Sequence, residues 1–368
     1  MNIGFYIDEM NYRGVANSTF QFALNNKKIL KNKSIIFYEK NNINSKKDVL
    51  KKFKKNFISV GVLNFKEIDK FKKKFNLDYI YMQKSGDKDI FISKNIKTLV
   101  HSVYPQKLNQ VHGHNYAYIS EWLSKKFSNS KVPFVPYITE SKNNSLDLRK
   151  KLKIKKNFLV LGCHGGETSF DMKFSHAAIL KTVKIRKDIY FLFLNIKKFC
   201  NHPQIKFLKG TSDDDYKKKF INTCDAMIYG RSLGESFGLA CAEFALKNKS
   251  IISYKFNRHR SHKYHIPNKN FYEYSSYNSL IKLLINLKKK SLKKKYNSKY
   301  KNYSKKKVMR IFQNVFLKGE KKIQLSFFDF FINYFSHFTM TYFYLRHKLY
   351  SHFFKYFESK FLMNSIEE

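Results

Sequence analysis

Residues 225–254 read DAMIYGRSLGESFGLACAEFALKNKSIISY. Residues 226–229 are apolar, 230–236 are polar and carry two glycines, 237–246 are apolar apart from Glu243, and Ile251 and Ile252 are β-branched. That order predicts strand, loop, helix, strand. Glu243 breaks the pattern. A carboxylate on a helix of Phe, Gly, Leu, Ala and Cys is expected to be largely buried, which costs on the order of several kcal/mol unless a partner compensates. Glu235 stands eight residues earlier, in a loop where a helix N-terminus would face an anion. Either the two carboxylates form a site, or Glu243 is satisfied by a backbone or lysine partner and Glu235 faces solvent.

Outward from this stretch the same alternation recurs. Strands are predicted at 3–7, 34–38, 58–63, 79–82 and 98–103. Helical patterns fall at 18–27, 46–57, 65–75 and 115–127. Pro133 and Pro136 hold 132–138 extended. A second series has strands at 158–161, 189–196 and 205–208, a glycine-rich loop at 162–166, and helices at 170–184 and 213–222. Strands alternating with helices predict an α/β protein with mostly parallel sheets. The expected division is an N-terminal Rossmann-like domain at 1–140, a linker at 141–155, a second Rossmann-like domain at 156–320 and a helical tail at 321–368. Val308, Ile311, Phe312, Val315 and Phe316 recur at helical spacing and are expected to pack on the second domain. Ligands bind beyond the C-terminal ends of strands in such sheets. The loops at 8–17, 162–168 and 230–236 occupy those places, with a central cleft between the sheets as their expected meeting point.

The chain has 368 residues, and 37 Phe with 25 Tyr exclude a disordered polymer despite a net charge of +45. That charge attracts nucleic acid or anionic lipid; compositional drift in an AT-rich genome produces the same excess of lysine. A basicity made of Lys rather than Arg argues against base-specific readout and so against nucleic acid as the partner. Cys163, Cys200, Cys224 and Cys241 form no CxxC pair, so a reducing, cytoplasmic compartment is expected. The first residues read as a strand rather than a signal peptide. The most apolar stretch, 326–345, contains Asp329, Asn333 and His337. The tail at 321–368 therefore reads either as an interfacial helix with aromatic anchors on an anionic membrane, or as helices packed back across both domains.

GESFGLACAEF at 234–244, with a short loop and a β-branched strand after it, resembles the glutamate-pair motif of retaining glycosyltransferases of the GT-B fold, family 4 type, in which seven residues separate two Glu. The opening strand at 1–8, Arg13-Gly14, LVHSVY at 99–104 and VLGCHGG at 160–166 extend the resemblance over about residues 1–318. It implies a nucleotide-diphosphate sugar as donor, no metal or other cofactor, and attack from the leaving-group face with the donor phosphate as base. The acceptor is an unspecified glycan, lipid or protein. Glu243 would take both ribose hydroxyls and Glu235 the sugar hydroxyls. Ser236, Phe237, Gly238 and Leu239 would present backbone to the donor, while Gly14 lets the opposite loop approach. His101 matches a histidine near the transferred sugar; His112 and His114 would either line the acceptor side or sit in solvent. Negative charge grows on the departing phosphate and calls for cations. The family's Arg and Lys for this purpose are replaced here by Cys163 and Thr168, leaving His164, Lys173 and Arg231 as candidates. Two alternatives are a non-catalytic relative that binds nucleic acid or anionic membrane through its basic surface, and a phosphorylase or epimerase on the same fold.

Overall fold

The computed structural model describes residues 1–140, 145–292, 295–320 and 322–364, so part of the expected linker, residues 141–144, lies outside the described residues. The chain divides into two compact units. The first is Met1–Glu140 with Ser236–Leu239 and Lys299–His337; the second is Ser141–Glu235 with Ala240–Ser298 and Phe338–Glu368.

In the first unit the elements run β1 (Asn2–Ile7), α1 (Gly14–Lys28), β2 (Lys33–Glu39), α2 (Lys47–Asn56), β3 (Ile58–Val62), α3 (Lys72–Phe75), β4 (Tyr79–Lys84), β5 (Lys97–Ser102), β6 (Asn115–Tyr118) and α4 (Glu121–Ser128). The six strands lie parallel in the order β3-β2-β1-β4-β5-β6. Consecutive residues of the central strands are buried, as in Phe5, Tyr6 and Ile7; a parallel sheet covered on both faces requires this. The order reverses between β1 and β4. The helix expected over 115–127 is split: Tyr116 and Tyr118 pair along β5 as an edge strand. The helix starts only after Ser120, whose side chain caps the Leu123 amide. Residues 65–75 are a 3₁₀ turn, Phe65–Phe71, before the single turn of α3.

The second unit runs β7 (Leu159–His164), α5 (Lys173–Ile185), β8 (Ile189–Leu194), β9 (Ile205–Leu208), α6 (Asp214–Thr223), β10 (Ala226–Tyr229), β11 (Gly234–Glu235), α7 (Leu239–Leu246), β12 (Ser250–Tyr254), β13 (His259–Arg260), α8 (Ser261–His265), β14 (Phe271–Tyr274) and α9 (Tyr277–Asn286). Its main sheet is again six parallel strands, β14-β12-β10-β7-β8-β9, with the reversal between β10 and β7. The glycine-rich loop expected from residue 162 begins later, because β7 continues through Gly162 and Cys163 to His164. Gly162 is small for a packing reason: a Cβ there would lie 2.2 Å from Cys224 Sγ.

Two more helices follow, α10 (Lys305–Phe312), which runs into a π turn at Gln313–Leu317, and α11 (Phe327–Asn364). Val308, Phe312 and Phe316 are buried, but in the first unit rather than on the second domain. Phe312 stacks on Phe22 and Phe316 meets Tyr81 and His101 edge-on. Helical spacing shows that an apolar face exists, not what it faces.

Candidate active site

The reversal point of the second sheet is where β7 and β10 end side by side while their following helices diverge, and such points leave a crevice for a ligand. His164 is the last residue of β7, and Arg231 lies two residues beyond β10. Glu243 sits on α7, whose Cys241, Ala242, Phe244 and Ala245 are buried.

Glu243 has protein partners on two other elements. Lys217 Nζ on α6 donates to Oε1 at 2.7 Å. His164 Nε2 lies 2.9 Å from Oε2, although both atoms are buried without a well-aligned hydrogen bond. Burial alone would raise the Glu243 carboxyl; the Lys217 charge and then His164 outweigh it and hold the group down at about 2. Glu243 is therefore ionised at neutral pH. Its side chain remains 24% exposed, and a carboxylate offers about four lone-pair sites, so acceptor capacity is left for a ligand. Lys217 was missed in the sequence because it is one of three consecutive lysines at 217–219, and nothing in the run marks which one turns inward.

Glu235 is held differently. Tyr229 Oη donates to its Oε1 at 2.6 Å. Burial, with the Glu235 charge beside it, pushes the Tyr229 phenol well above its ordinary value, so it stays a donor. Arg231 Nη1 lies 3.5 Å from the same oxygen. Backbone geometry fixes the rest. Glu235 belongs to β11, which pairs in parallel with β13, Gly234 opposite His259 and Glu235 opposite Arg260. Gly234 has φ +73°, and a Cβ on it would stand 2.0 Å from the His259 carbonyl oxygen. Only glycine fits. Asn257 Nδ2 donates to the Arg231 carbonyl at 2.6 Å, and the Ser232 amide and hydroxyl both donate to Asp171. The loop carrying Glu235 is thus tied on two sides. Tyr229 and Gly234 were not singled out from the sequence; the Gly-Glu dipeptide was the available signal for the second.

Lys173 is the first residue of α5 and is exposed. Cys163 is fully buried in β7 and Thr168 is exposed in the loop after it. Ser236, Phe237, Gly238 and Leu239 group with the first unit. There Ser120 donates to the Ser236 carbonyl and Tyr300 to that of Phe237; Gly238 has φ +89°, and α7 starts one residue later. Gly14 opens α1, and a Cβ on it would meet only Leu239 Cδ1, at 3.4 Å. His101 is enclosed in the first unit, 0% exposed. Its Nε2 is 2.8 Å from the Val135 carbonyl and so carries the proton, leaving Nδ1 to accept from Tyr81 Oη at 2.6 Å. Burial brings this imidazole down to about 3, so it is neutral. Both ring nitrogens are bonded within the protein. His112 bridges Lys84 Nζ and the Gln110 carbonyl, while His114 is exposed beside Tyr79. Among the described residues, no group of three or more His, Cys, Asp or Glu is placed to hold a metal ion.

No protein-family model matches this sequence, and no curated protein matches it. Solved structures do. A glycosyltransferase from Rickettsia africae ESF-5 is similar with a TM-score of 0.57 at 14% identity, over 87% of this chain and 96% of that one. Anabaena Alr3699/HepE, in complex with UDP and glucose, is similar with a TM-score of 0.56 at 10% identity, over 93% and 99%. The chain has the GT-B fold. A putative UDP-N-acetylglucosamine 2-epimerase from Listeria monocytogenes is similar too, with a TM-score of 0.53 at 11% identity, over 89% and 99%. At these identities the likeness is one of fold, and more than one chemistry uses that fold.

Proposed function

We propose that this chain is a retaining glycosyltransferase that moves a sugar from a nucleotide-diphosphate sugar to a glycan, lipid or protein acceptor. The observation that carries the reading is the braced carboxylate pair at the sheet's reversal point: Glu243 kept ionised by Lys217, and Glu235 aimed by Tyr229 and by the β11–β13 pairing. The complex of HepE with UDP and glucose supports a nucleotide sugar as the ligand class for this fold.

In this reading Glu243 accepts the two ribose hydroxyls on its remaining lone pairs, and Glu235 accepts from the sugar. Arg231, His164 and Lys173 meet the charge that grows on the departing phosphate, in place of residues 163 and 168, together with backbone N–H groups of Ser236–Leu239. Gly14 gives room for the phosphates. Attack comes from the leaving-group face, with the phosphate oxygen taking the acceptor's proton, so neither a protein nucleophile nor a metal takes part. His101 acts in this scheme as a neutral brace between β5 and the segment at Val135.

The test is a panel of nucleotide sugars, read by melting temperature and by the released nucleoside diphosphate, with the product's anomeric configuration read by NMR. Release with retention supports the reading; a folded sample that neither shifts nor releases nucleotide with any donor rejects it. Conversion of the sugar itself without an acceptor would select the epimerase alternative that the Listeria structure brings in.

A further inference from the structure

Helix α11 turns its faces the wrong way for a helix in water. The residues it buries at its N-terminal half are Asp329, Asn333, Ser336 and Met340, all at most 6% exposed. They follow one another at steps of four, three and four, a single stripe. Three of the four are polar, and the protein satisfies them. Asn333 Nδ2 donates to the Phe127 and Gln106 carbonyls at 2.7 and 2.9 Å, Ser336 Oγ to the Lys126 carbonyl at 2.6 Å, and Asp329 caps the helix start through Ser326. Hydrogen bonds, then, fix this side to the body of the protein.

The other side is aromatic and exposed. Phe331, Phe335, Phe338, Tyr342, Leu345 and Leu349 are each between 51 and 66% exposed. Their spacing alternates four and three, so they too form one stripe, about 27 Å long at 1.5 Å per residue. Soluble monomers rarely leave a contiguous apolar strip of this kind in water. The exposed charged side chains among the described residues of α11 are all cations: Arg346, Lys348 and Lys355. The whole chain carries +45. No described helix is long and apolar enough to cross a membrane.

We propose that the outer stripe of α11 is a docking surface for an anionic lipid bilayer, with the helix lying in the plane of the interface. Two features choose this occupant. A second copy of the chain would bring another +45 against the first, whereas an anionic leaflet supplies the opposite charge. Phe, Tyr and Leu beside Lys and Arg are also the side chains of interfacial helices. The four-three spacing equally suits a helical pairing seam, so self-association is an outcome that the experiment must separate.

The test uses the full chain in co-sedimentation with vesicles of phosphatidylcholine containing about 30% phosphatidylglycerol, against pure phosphatidylcholine. The expected result is binding to the anionic vesicles at physiological salt, weakened by roughly tenfold or more in the triple variant Phe331→Ser, Phe338→Ser, Leu345→Ser. These side chains are exposed, so the variant's melting temperature should match the parent's; where it does not, Phe331→Ser and Leu345→Ser alone replace it. The proposal is overturned if the parent stays in the supernatant with anionic vesicles. It is equally overturned if the folded variants bind as the parent does, which would leave the basic surface alone responsible. A third overturning result is that the variants only turn a dimer into a monomer in analytical ultracentrifugation while lipid binding is unchanged.

Discussion

Glu243 concentrates the electrostatics of the site. Its folded value of about 2 lies below the ordinary 4.5, so between those pH values the unfolded chain binds more protons than the folded one and stability rises with pH. The contribution, about 3 kcal/mol by linkage, is complete above pH 4.5 and is lost as pH falls toward 2. Glu243→Gln should flatten that part of a stability–pH curve measured by urea melts; an unchanged slope would show that Lys217 and His164 do not hold the carboxylate. Glu243→Ala is the harsher change, because it leaves the half-buried Lys217 without its carboxylate partner and so lowers stability as well as removing the acceptor. Catalysis is better probed with Glu235→Gln and Glu243→Gln, each expected to cut turnover by roughly a hundredfold or more with the circular dichroism spectrum unchanged. Wild-type rates in both would remove the pair from the mechanism. The eight-residue spacing and the oddity of Glu243 in an apolar helix were legible in the sequence. Lys217, Tyr229 and the enclosure of His101 were not, since each depends on which strand or helix comes to lie beside it.

At the scale of elements, the two-residue ladder of β11 and β13 is what aims Glu235. Gly234→Ala would force a Cβ to within 2.0 Å of the His259 carbonyl oxygen, so the β11–β13 ladder must shift, and the backbone angle alone adds a strain of about 1–3 kcal/mol. A folded variant with a lowered melting temperature and a strongly reduced turnover is expected; turnover as in the parent would mean that Glu235 is positioned by Tyr229 alone. Long buried strands and the helices between them could be read from periodicity. Local pattern is ambiguous at three places. Tyr116 and Tyr118 alternate as a strand does, yet they precede a capped helix directly. Gly162 looked like loop punctuation and proved to be a strand residue made small by Cys224. The helix at 305–312 showed its apolar face without showing that Phe22 and Tyr81 would cover it.

For the molecule as a whole, a nucleoside diphosphate that binds only the folded state stabilises it by about 2.7 kcal/mol at a hundredfold excess over Kd. Differential scanning fluorimetry should therefore show a rise in Tm of several degrees with UDP, unaffected by EDTA if no metal is involved. A shift abolished by EDTA would bring a metal into the scheme. The surplus of positive charge repels itself, so added sodium chloride should raise Tm by screening; a falling Tm would point to stabilising ion pairs instead. The sequence by itself determined that the chain is α/β with parallel sheets, that polar, glycine-bearing loops follow strand ends, and that two carboxylates stand at a fixed spacing across a loop and a helix start. Those are local properties: periodicity, glycine placement and one charge out of pattern survive without neighbours. Tertiary structure alone decided what each group meets, pairing Glu243 with Lys217 and His164, sealing His101 between Tyr81 and Val135, and turning the polar stripe of α11 inward with its aromatic stripe out. Partner choice comes from contacts far apart along the chain, and no local pattern records it.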